Sequence, residues 1–280
     1  MIEIKLADLN IQGEECANIL KTTIKNPRFT KEYLQWKHVE NPMGKSLVVI
    51  AEEDNKIIGV SLFLCWDIID GNKKYKTIRN LDSGILEEYQ GKGLFKKMAT
   101  FGLEIAKQKS EFLFGTPNVN SLHPLLRIGW KRLEKKYLFY YTLNSFFPAR
   151  LPFIVSRTLP PIVPEERANF IKWRYLDEKY QWAMFEDNAI VIYRIKKLKN
   201  IKIVILVDSF LLSMNIKKYV QSICSKNNSF VYMYLLNDKT KSLKNLFSIQ
   251  KGSSVVISKN DENGIVDNFN FSMGDIESTI

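Results

Sequence analysis

The stretch Gln90-Gly91-Lys92-Gly93-Leu94-Phe95 joins the end of an apolar run to the start of an amphipathic helix. A glycine turn that opens a helix leaves backbone N–H groups unpaired at the positive end of the helix dipole, which is where a phosphate binds. A chain with this feature has to bring a strand end, a tight turn and a helix start together around one anionic group. The neighbouring sequence decides whose phosphate that is.

Upstream, Val60–Ile69 and Lys74–Leu86 read as two strands joined at Asp70-Gly71, a dipeptide suited to a two-residue hairpin turn. The sheet is therefore expected to be antiparallel here. The nucleotide loops follow a parallel strand, and this loop also lacks the third glycine of G-x-G-x-x-G and the Gly-Lys-Ser/Thr ending of a Walker A loop. Downstream, Leu94, Met98, Phe101 and Ile105 recur at helical spacing, with Lys96, Lys97, Thr100, Glu104 and Lys107 on other faces. This predicts a helix of about five turns. A short strand at Phe112–Gly115, a break at Thr116-Pro117-Asn118, a short helix ending at Ile128-Gly129 and a strand over Trp130–Leu143 complete the order.

These segments, in this order, resemble the GNAT family of acyl-CoA-dependent N-acyltransferases, whose loop reads Q/R-x-x-G-x-G/A. Gln90 and Gly93 match two of its fixed positions, Gly91 and Lys92 match its frequent R-G-K-G form, and Phe95 replaces its last small residue. Ile85-Leu86-Glu87-Glu88-Tyr89 is similar to the family's lead-in V-x-P/E-x-Y, and Asn118 through Trp130 is similar to its closing helix. The resemblance implies an α/β fold with a mixed, mostly antiparallel sheet and flanking helices. It implies acyl transfer from acetyl-CoA to a primary amine on a small molecule or amino sugar.

The resemblance also assigns residues. The donor's pyrophosphate is expected on backbone N–H groups of Gln90, Gly91, Lys92, Gly93, Leu94 and Phe95, with the pantetheine arm along Ile85 and Leu86. The Leu86 N–H is expected to polarise the thioester carbonyl. Asn118 or Asn120 is expected to hold the arm from the other side, the alternative being that they cap the second helix. An amine is mostly protonated at neutral pH, so transfer needs a proton acceptor. Asp82, on the strand beside the thioester, is the candidate base; Asp82-Ser83-Gly84 reads equally well as a bulge. The family's tyrosine acid is replaced by Leu125, and His123 is the candidate substitute, against a reading as a surface histidine before Pro124.

Composition sets outer limits. A chain of 280 residues has room for two ordinary domains, and its 45% hydrophobic and 25% charged content is that of a folded protein. The net charge of +11 comes from scattered lysines without an aromatic stripe, so no specific nucleic-acid partner is expected. Cys16, Cys65 and Cys224 are widely spaced and read as reduced thiols, and with two histidines in the chain no metal site is expected. No segment has the length of an apolar span, and the N-terminus lacks the layout of a signal peptide; a cytoplasmic protein without a membrane partner is expected.

Five prolines between Pro148 and Pro164 read as a linker unable to continue a strand ladder, which puts a domain boundary near residue 150. The expected division is a catalytic domain over 1–147 and a degenerate GNAT-like domain over 148–280. Tyr33-Leu34-Gln35-Trp36-Lys37-His38 is echoed by Asn169-Phe170-Ile171-Lys172-Trp173-Arg174-Tyr175, and each is followed by a strand pair: Leu47–Ala51 with Lys56–Leu64, and Trp182–Glu186 with Ala189–Arg194. A further strand, a helix over Leu212–Ser225 and a strand over Phe230–Leu235 extend the repeat, but Asp208-Ser209-Phe210-Leu211 stands where the glycine loop should be. Phe271-Ser272-Met273-Gly274-Asp275 resembles the ending of some two-lobed members and favours small-molecule or sugar amines. Two rivals remain at this stage: an aminoacyl-tRNA-dependent transferase of the same two-lobed fold, and a non-catalytic acyl-CoA-binding module.

Overall fold

The computed structural model describes residues 1–70, 73–134, 137–145, 148–262, 264–269 and 271–276. It divides into a first unit, Met1–Lys135 with Val255–Phe269, and a second, Lys136–Ser254 with Asn270–Ile280.

The sheet of the first unit runs β1 (Glu3–Leu6), β2 (Leu47–Glu53), β3 (Lys56–Cys65), β6 (Thr77–Ile85), β7 (Phe112–Gly115), β16 (Ile257–Lys259) and β8 (Lys131–Arg132). Only β6 and β7 pair parallel; the other neighbours are antiparallel. β4 (Ile68–Asp70) and β5 (Lys73–Tyr75) form a separate hairpin, as the Asp70-Gly71 signal anticipates, although Gly71 itself lies outside the described residues. Residues alternate across β2: Val48 and Ile50 pack under α1 (Leu9–Ile24), while Val49 and Ala51 pack under α3 (Leu94–Ala106) on the opposite face. The Asp8 carboxylate caps α1 by accepting from the Asn10 N–H at 2.9 Å.

α3 has 13 residues, shorter than the periodicity suggests, and its buried stripe is Leu94, Met98, Ala99, Gly102, Leu103 and Ala106. Gly102 moves the stripe away from Phe101 and Ile105, since a Cβ there would lie 2.2 Å from the Phe63 ring. The missing side chain lets the helix settle directly on β3. Two shorter helices complete this unit near the strand ends: α2 (Lys31–Leu34), which continues as a π-helical turn over Gln35–Val39, and α4 (Val119–Arg127). α7 (Ile265–Asn268) follows β16.

The second unit repeats the plan. Its sheet runs β10 (Phe153–Val155), β11 (Gln181–Phe185), β12 (Ile190–Leu198), β13 (Ile201–Phe210), β14 (Val231–Leu235), β9 (Tyr137–Leu143) and β15 (Ser248–Ser254), and again only the fourth and fifth strands pair parallel. α5 (Glu165–Tyr175) packs Ile171 and Tyr175 on Trp182, Ile190 and Ile192. α6 (Ile216–Lys226) packs Tyr219, Val220 and Ile223 on Val191, Val204 and Leu206. The fold is thus a duplicated α/β architecture with mostly antiparallel sheets, as the sequence implies.

Three details differ from the sequence reading. The continuous strand expected over Trp130–Leu143 is instead β8 and β9, which belong to different sheets. The chain changes unit at Lys135 and returns at Val255, whereas the boundary inferred from the prolines sits beside Phe147, which is outside the described residues. The proline-rich segment does hold a strand: Phe153–Val155 pairs with Phe185–Ala183. It is an edge strand with Pro152 just before it, so the ladder loses no donor to proline.

Candidate active site

Two irregularities in β6 shape the site. The first is its divergence from β7: the pair is held only from Thr77–Arg79 against Phe112–Phe114, after which β6 continues to Ile85 while β7 ends at Gly115. From Asn80 onward β6 therefore has β3 on one side and an open edge on the other. The floor of this divergence is fixed by Arg79, which is buried, lies 5.2 Å from the ring centroids of both Trp66 and Phe114, and donates to the Thr116 hydroxyl at 3.1 Å.

Strand alternation decides which amides face the open edge. The Leu86 N–H donates to the Ile58 carbonyl at 3.0 Å, so it points at β3. The expectation that this amide polarises a thioester is corrected, because its hydrogen is already committed to the ladder. Backbone groups reverse side at each residue, so Ser83 and Ile85 are the ones that face the open edge. The Gln90 side-chain amide confirms the direction by donating to the Ile85 carbonyl at 2.8 Å, which also ties the glycine loop to the end of β6.

The loop itself has the geometry of an anion cradle. Gly91 and Gly93 both lie in the left-handed region, at φ 75° and 74°, and a Cβ added to either would meet nothing within 4 Å. Gly93 is the N-cap of α3 and no side chain caps the helix there. Among the described residues, no acceptor takes the backbone N–H groups from Gly91 to Lys96. Lys92 stands over the Tyr89 ring at 5.2 Å, and Tyr89 donates to Glu53 at 2.8 Å, so the loop's base is pinned while its amides stay open. Phe95 is half-buried and packs against the core under α3, which leaves the loop's outer side clear despite its bulk. The donor set fits a pyrophosphate: oriented amides, a helix dipole behind them and no acidic residue in the first turn of α3.

The second irregularity is a bulge. The β3–β6 register slips between Ser61 and Leu62, leaving Asp82 as the extra residue, with φ 51°. Its carboxylate is buried and pairs with the Lys37 ammonium, while His38 Nε2 lies 3.4 Å from Oδ2, outside hydrogen-bond geometry. Lys37 and His38 come from the π-helical turn, whose extra residue turns both side chains toward the bulge. Burial by itself would raise the Asp82 carboxyl, but the charge of Lys37 and the contact with His38 override it and hold the group at about 2. Burial lowers the His38 imidazole below its ordinary 6.5, against the pull of Asp82. His38 Nδ1 and the Ser46 hydroxyl are 2.8 Å apart. The sequence reading gave no site role to Lys37, His38 or Ser46; the W-K-H and W-R-Y echo was a signal that could have singled out Lys37 and His38, and none marks Ser46.

The remaining candidates separate. Asn118 caps α4, its side chain accepting from the N–H groups of Asn120 and Ser121 at 3.0 Å each. Asn120 and His123 are exposed on α4, and Leu125 is buried in the core below them. Asp82 is joined by Lys37 and His38, not by His123.

The equivalent place in the second unit is filled. β13 and β14 pair only over Ile203–Ile205 and Val231–Met233 before β13 runs on to Phe210. The divergence is occupied by α8 (Met273–Ile276) and the residues before it: Asn237 donates to the Phe271 carbonyl at 2.9 Å, and Phe271 and Met273 are buried. A cavity of about 20 Å³ is left among Asp208, Asn237, Lys239, Thr240 and Ser272. Tyr175, the echo of His38, donates to Asp208 at 2.9 Å.

Among the described residues, no cluster of histidine, cysteine and carboxylate side chains is suited to a metal ion, and no helix is long and apolar enough to cross a membrane. No functionally curated protein matches the chain in sequence. Solved structures do match it in fold. A GCN5-related N-acetyltransferase from Anabaena variabilis superposes with a TM-score of 0.72 at 16% identity, covering 92% of this chain and 72% of that one. A putative acetyltransferase from Pyrococcus horikoshii gives 0.64 at 13% identity, covering 99% and 94%. A tandem GNAT protein from the clavulanic acid biosynthesis pathway gives 0.60 at 8% identity, covering 92% and 98%. The profile of the acetyltransferase (GNAT) family matches residues 14–130, which span α1 to the end of α4 and include both irregularities of β6 and the glycine cradle. Residues 14–130 of this chain therefore carry the match to the acetyltransferase (GNAT) family, within a fold that resembles these solved structures and that the chain builds twice.

Proposed function

We propose that the chain transfers an acetyl group from acetyl-CoA to a primary amine on a small molecule or amino sugar, in the cytoplasm, using one donor site in the first unit. The observation that carries this reading is the open cradle from Gly91 to Lys96 at the free edge of β6. The donor supplies an acyl thioester, whose thiolate leaves without a dedicated acid because its pKa lies near 8.5. The chain's own residues do the rest. Amides of Gly91 to Lys96 hold the pyrophosphate, and Gln90 keeps that loop against β6. The Ile85 N–H, facing the open edge, takes the place first given to Leu86 and donates to the thioester carbonyl oxygen as charge develops there. Asp82 stays ionised beside Lys37 and orients neighbouring groups; so low a pKa makes it a poor proton acceptor.

The test is direct. Acetyl-CoA is expected to raise the thermal midpoint of the wild type, and Gly93→Asp, which sets a carboxylate on the cradle, is expected to abolish that rise. Equal shifts in both proteins, or none with any acyl-CoA, remove the donor assignment. Preference for an aminoacyl-tRNA would replace it with that donor. A strong shift without acetyl transfer across a broad amine panel would make the first unit a binding module.

A further inference from the structure

The second unit carries an open groove of its own, apart from the donor site proposed in the first. In the first unit, α4 follows β7 and lays Leu122 and Leu125 on the core shared with α3. In the second unit, β14 leads instead to a single 3-10 turn over Lys241–Leu243, which gives the core one buried leucine, Leu243, before the chain enters β15. One flank of α6 is left uncovered. Lys217, Gln221, Cys224 and Ser225 stand on that flank at helical spacing and line a groove of about 870 Å³. The buried Tyr232 of β14 lies at its base, and the exposed Leu143, Phe230, Leu246 and Phe247 make its rim apolar.

Size, charge and polar lining together describe an occupant. The volume falls among small-ligand sites, which run from about 300 to 1,000 Å³. Phe230, Leu246 and Phe247 are 79%, 99% and 61% exposed, apolar surface that stays in water unless something covers it. Arg150 and Lys217 are the charged residues of the lining, and among the described residues no carboxylate pairs with either. Most polar side chains of the groove are already used. Gln221 accepts from the Ala149 N–H at 3.3 Å, Ser225 donates to the Gln221 carbonyl at 2.9 Å, and Ser229 donates to the Lys202 carbonyl at 2.7 Å. Asn144 differs: its Oδ1 is buried and makes no hydrogen bond. A buried acceptor without a donor is costly, so an O–H or N–H carried into the groove would be well matched there.

We propose that this groove binds a free medium-chain acyl carboxylate that carries a hydroxyl or amide N–H beside its head group. The acyl chain covers Phe230, Leu246 and Phe247, the carboxylate meets Arg150 and Lys217, and the hydroxyl or amide donates to Asn144 Oδ1. The absence of acidic side chains from the lining sets the sign of the head group, since a cation there would face Arg150 and Lys217 with nothing to balance it. A bilayer surface would meet the exposed rim but not a buried oxygen. Every lining residue lies in the second unit, so the site stands independently of the acyl-transfer reading.

Isothermal titration of the full protein with 3-hydroxydecanoate, decanoate and decyltrimethylammonium tests the site. One molecule of 3-hydroxydecanoate is expected per chain, bound roughly 5-fold more tightly than decanoate, with no binding of the cation. Arg150→Glu combined with Lys217→Glu is expected to weaken both carboxylates roughly 10-fold or more. Neither change threatens the fold, because Arg150 is exposed and an acid at Lys217 suits the first turn of α6. Asn144→Ala is expected to remove the preference for the hydroxylated chain and to leave decanoate unchanged, and Gly93→Asp to bind both as the wild type does. No binding of either carboxylate, equal binding of the cation, or a preference that survives Asn144→Ala overturns the proposal. Weaker binding in Gly93→Asp would put the ligand in the first unit and overturn it as well. Retention on phosphatidylglycerol vesicles without uptake of the free carboxylate would make the groove a membrane contact, and self-association broken by Leu246→Asp without such uptake would make it an interface between copies of the chain; either result replaces the proposal.

Discussion

Ile257 and Ile249 are the same residue type eight positions apart in the sequence, and substituting each by alanine tests how the first unit is completed. Ile257 lies on β16, the strand between β7 and β8, and is 0% exposed in the core formed with Met98, Leu113 and Trp130. Ile249 lies on β15 at the edge of the second unit's sheet and is 72% exposed. Removing a fully buried isoleucine side chain costs about 2–5 kcal/mol, since the transfer free energy and the unfilled cavity add. In a unit of this size, roughly 3 kcal/mol lowers the midpoint by about 6–12 °C. Ile249→Ala is expected to stay within about 0.5 kcal/mol of the wild type, as exposed substitutions do. The assay is thermal unfolding with and without acetyl-CoA, so that the transition of the ligand-binding unit is identified by its response. Ile257→Ala should lower that ligand-responsive transition although it lies far along the chain from Gly93. Equal shifts for the two variants, or an Ile257→Ala effect confined to the transition that ignores acetyl-CoA, would refute the placement of β16 in the donor-binding sheet.

The two buried aspartates predict opposite responses to pH. Asp82 has its pKa lowered from 3.8 to about 2, so its contribution is present above about 4 and is lost as pH falls toward 2; Asp82→Asn, which leaves Lys37 buried without its anion, should cost about 3–5 kcal/mol at pH 7 and flatten that acid limb. Asp208 has its pKa raised by burial and by Asp275 to about 6, so its ionisation disfavours the folded state as pH rises from about 4 through 6; Asp208→Asn should stabilise the second unit at pH 8 relative to the wild type and have little effect at pH 4, read by thermal unfolding. Isothermal titration with acetyl-CoA should give one site per chain, and a stoichiometry of two would contradict the filled divergence of the second unit.

The sequence disclosed the site's donor half better than its acceptor half, for physical reasons. Gly91 and Gly93 were legible because a left-handed backbone beside a helix start calls for glycine, and local conformation is written in local sequence. The duplication was legible in strand order and in the W-K-H and W-R-Y echo. The Leu86 amide was misjudged because which way a backbone N–H points depends on ladder register, and register depends on a bulge whose place no single residue announces. The exchange of β8 and β9 between sheets was hidden because Lys131–Leu143 carries ordinary strand composition throughout, and pairing partners are chosen by contacts far away in sequence. Asp82 was found by its position, but its role was set by Lys37, 45 residues away.

The repeat also bears on why one donor site is proposed for a chain that builds the fold twice. Both units bring a helix carrying a tryptophan, a cation and a ring against a buried aspartate on the fourth strand of the sheet: Lys37 and His38 against Asp82, and Tyr175 against Asp208. The first unit adds a glycine cradle and leaves its divergent strands open, so its aspartate is balanced by a full positive charge and stays ionised. The second has no glycine between Asp208 and Asn215 and closes its divergence with Phe271 and Met273; burial and the nearby Asp275 move its carboxyl toward protonation, and the hydrogen bond from the neutral Tyr175 phenol does not offset them. A carboxylate kept charged beside an open edge suits the transfer chemistry proposed for the first unit. One drifting toward neutral beneath a plug of the chain's own residues serves packing. If that contrast is correct, restoring a cation with Tyr175→Lys should lower the Asp208 pKa without creating an acetyl-CoA site, because the plug and the missing cradle, not the charge, are what exclude the donor. Acetyl-CoA binding at a second site in Tyr175→Lys would show the opposite.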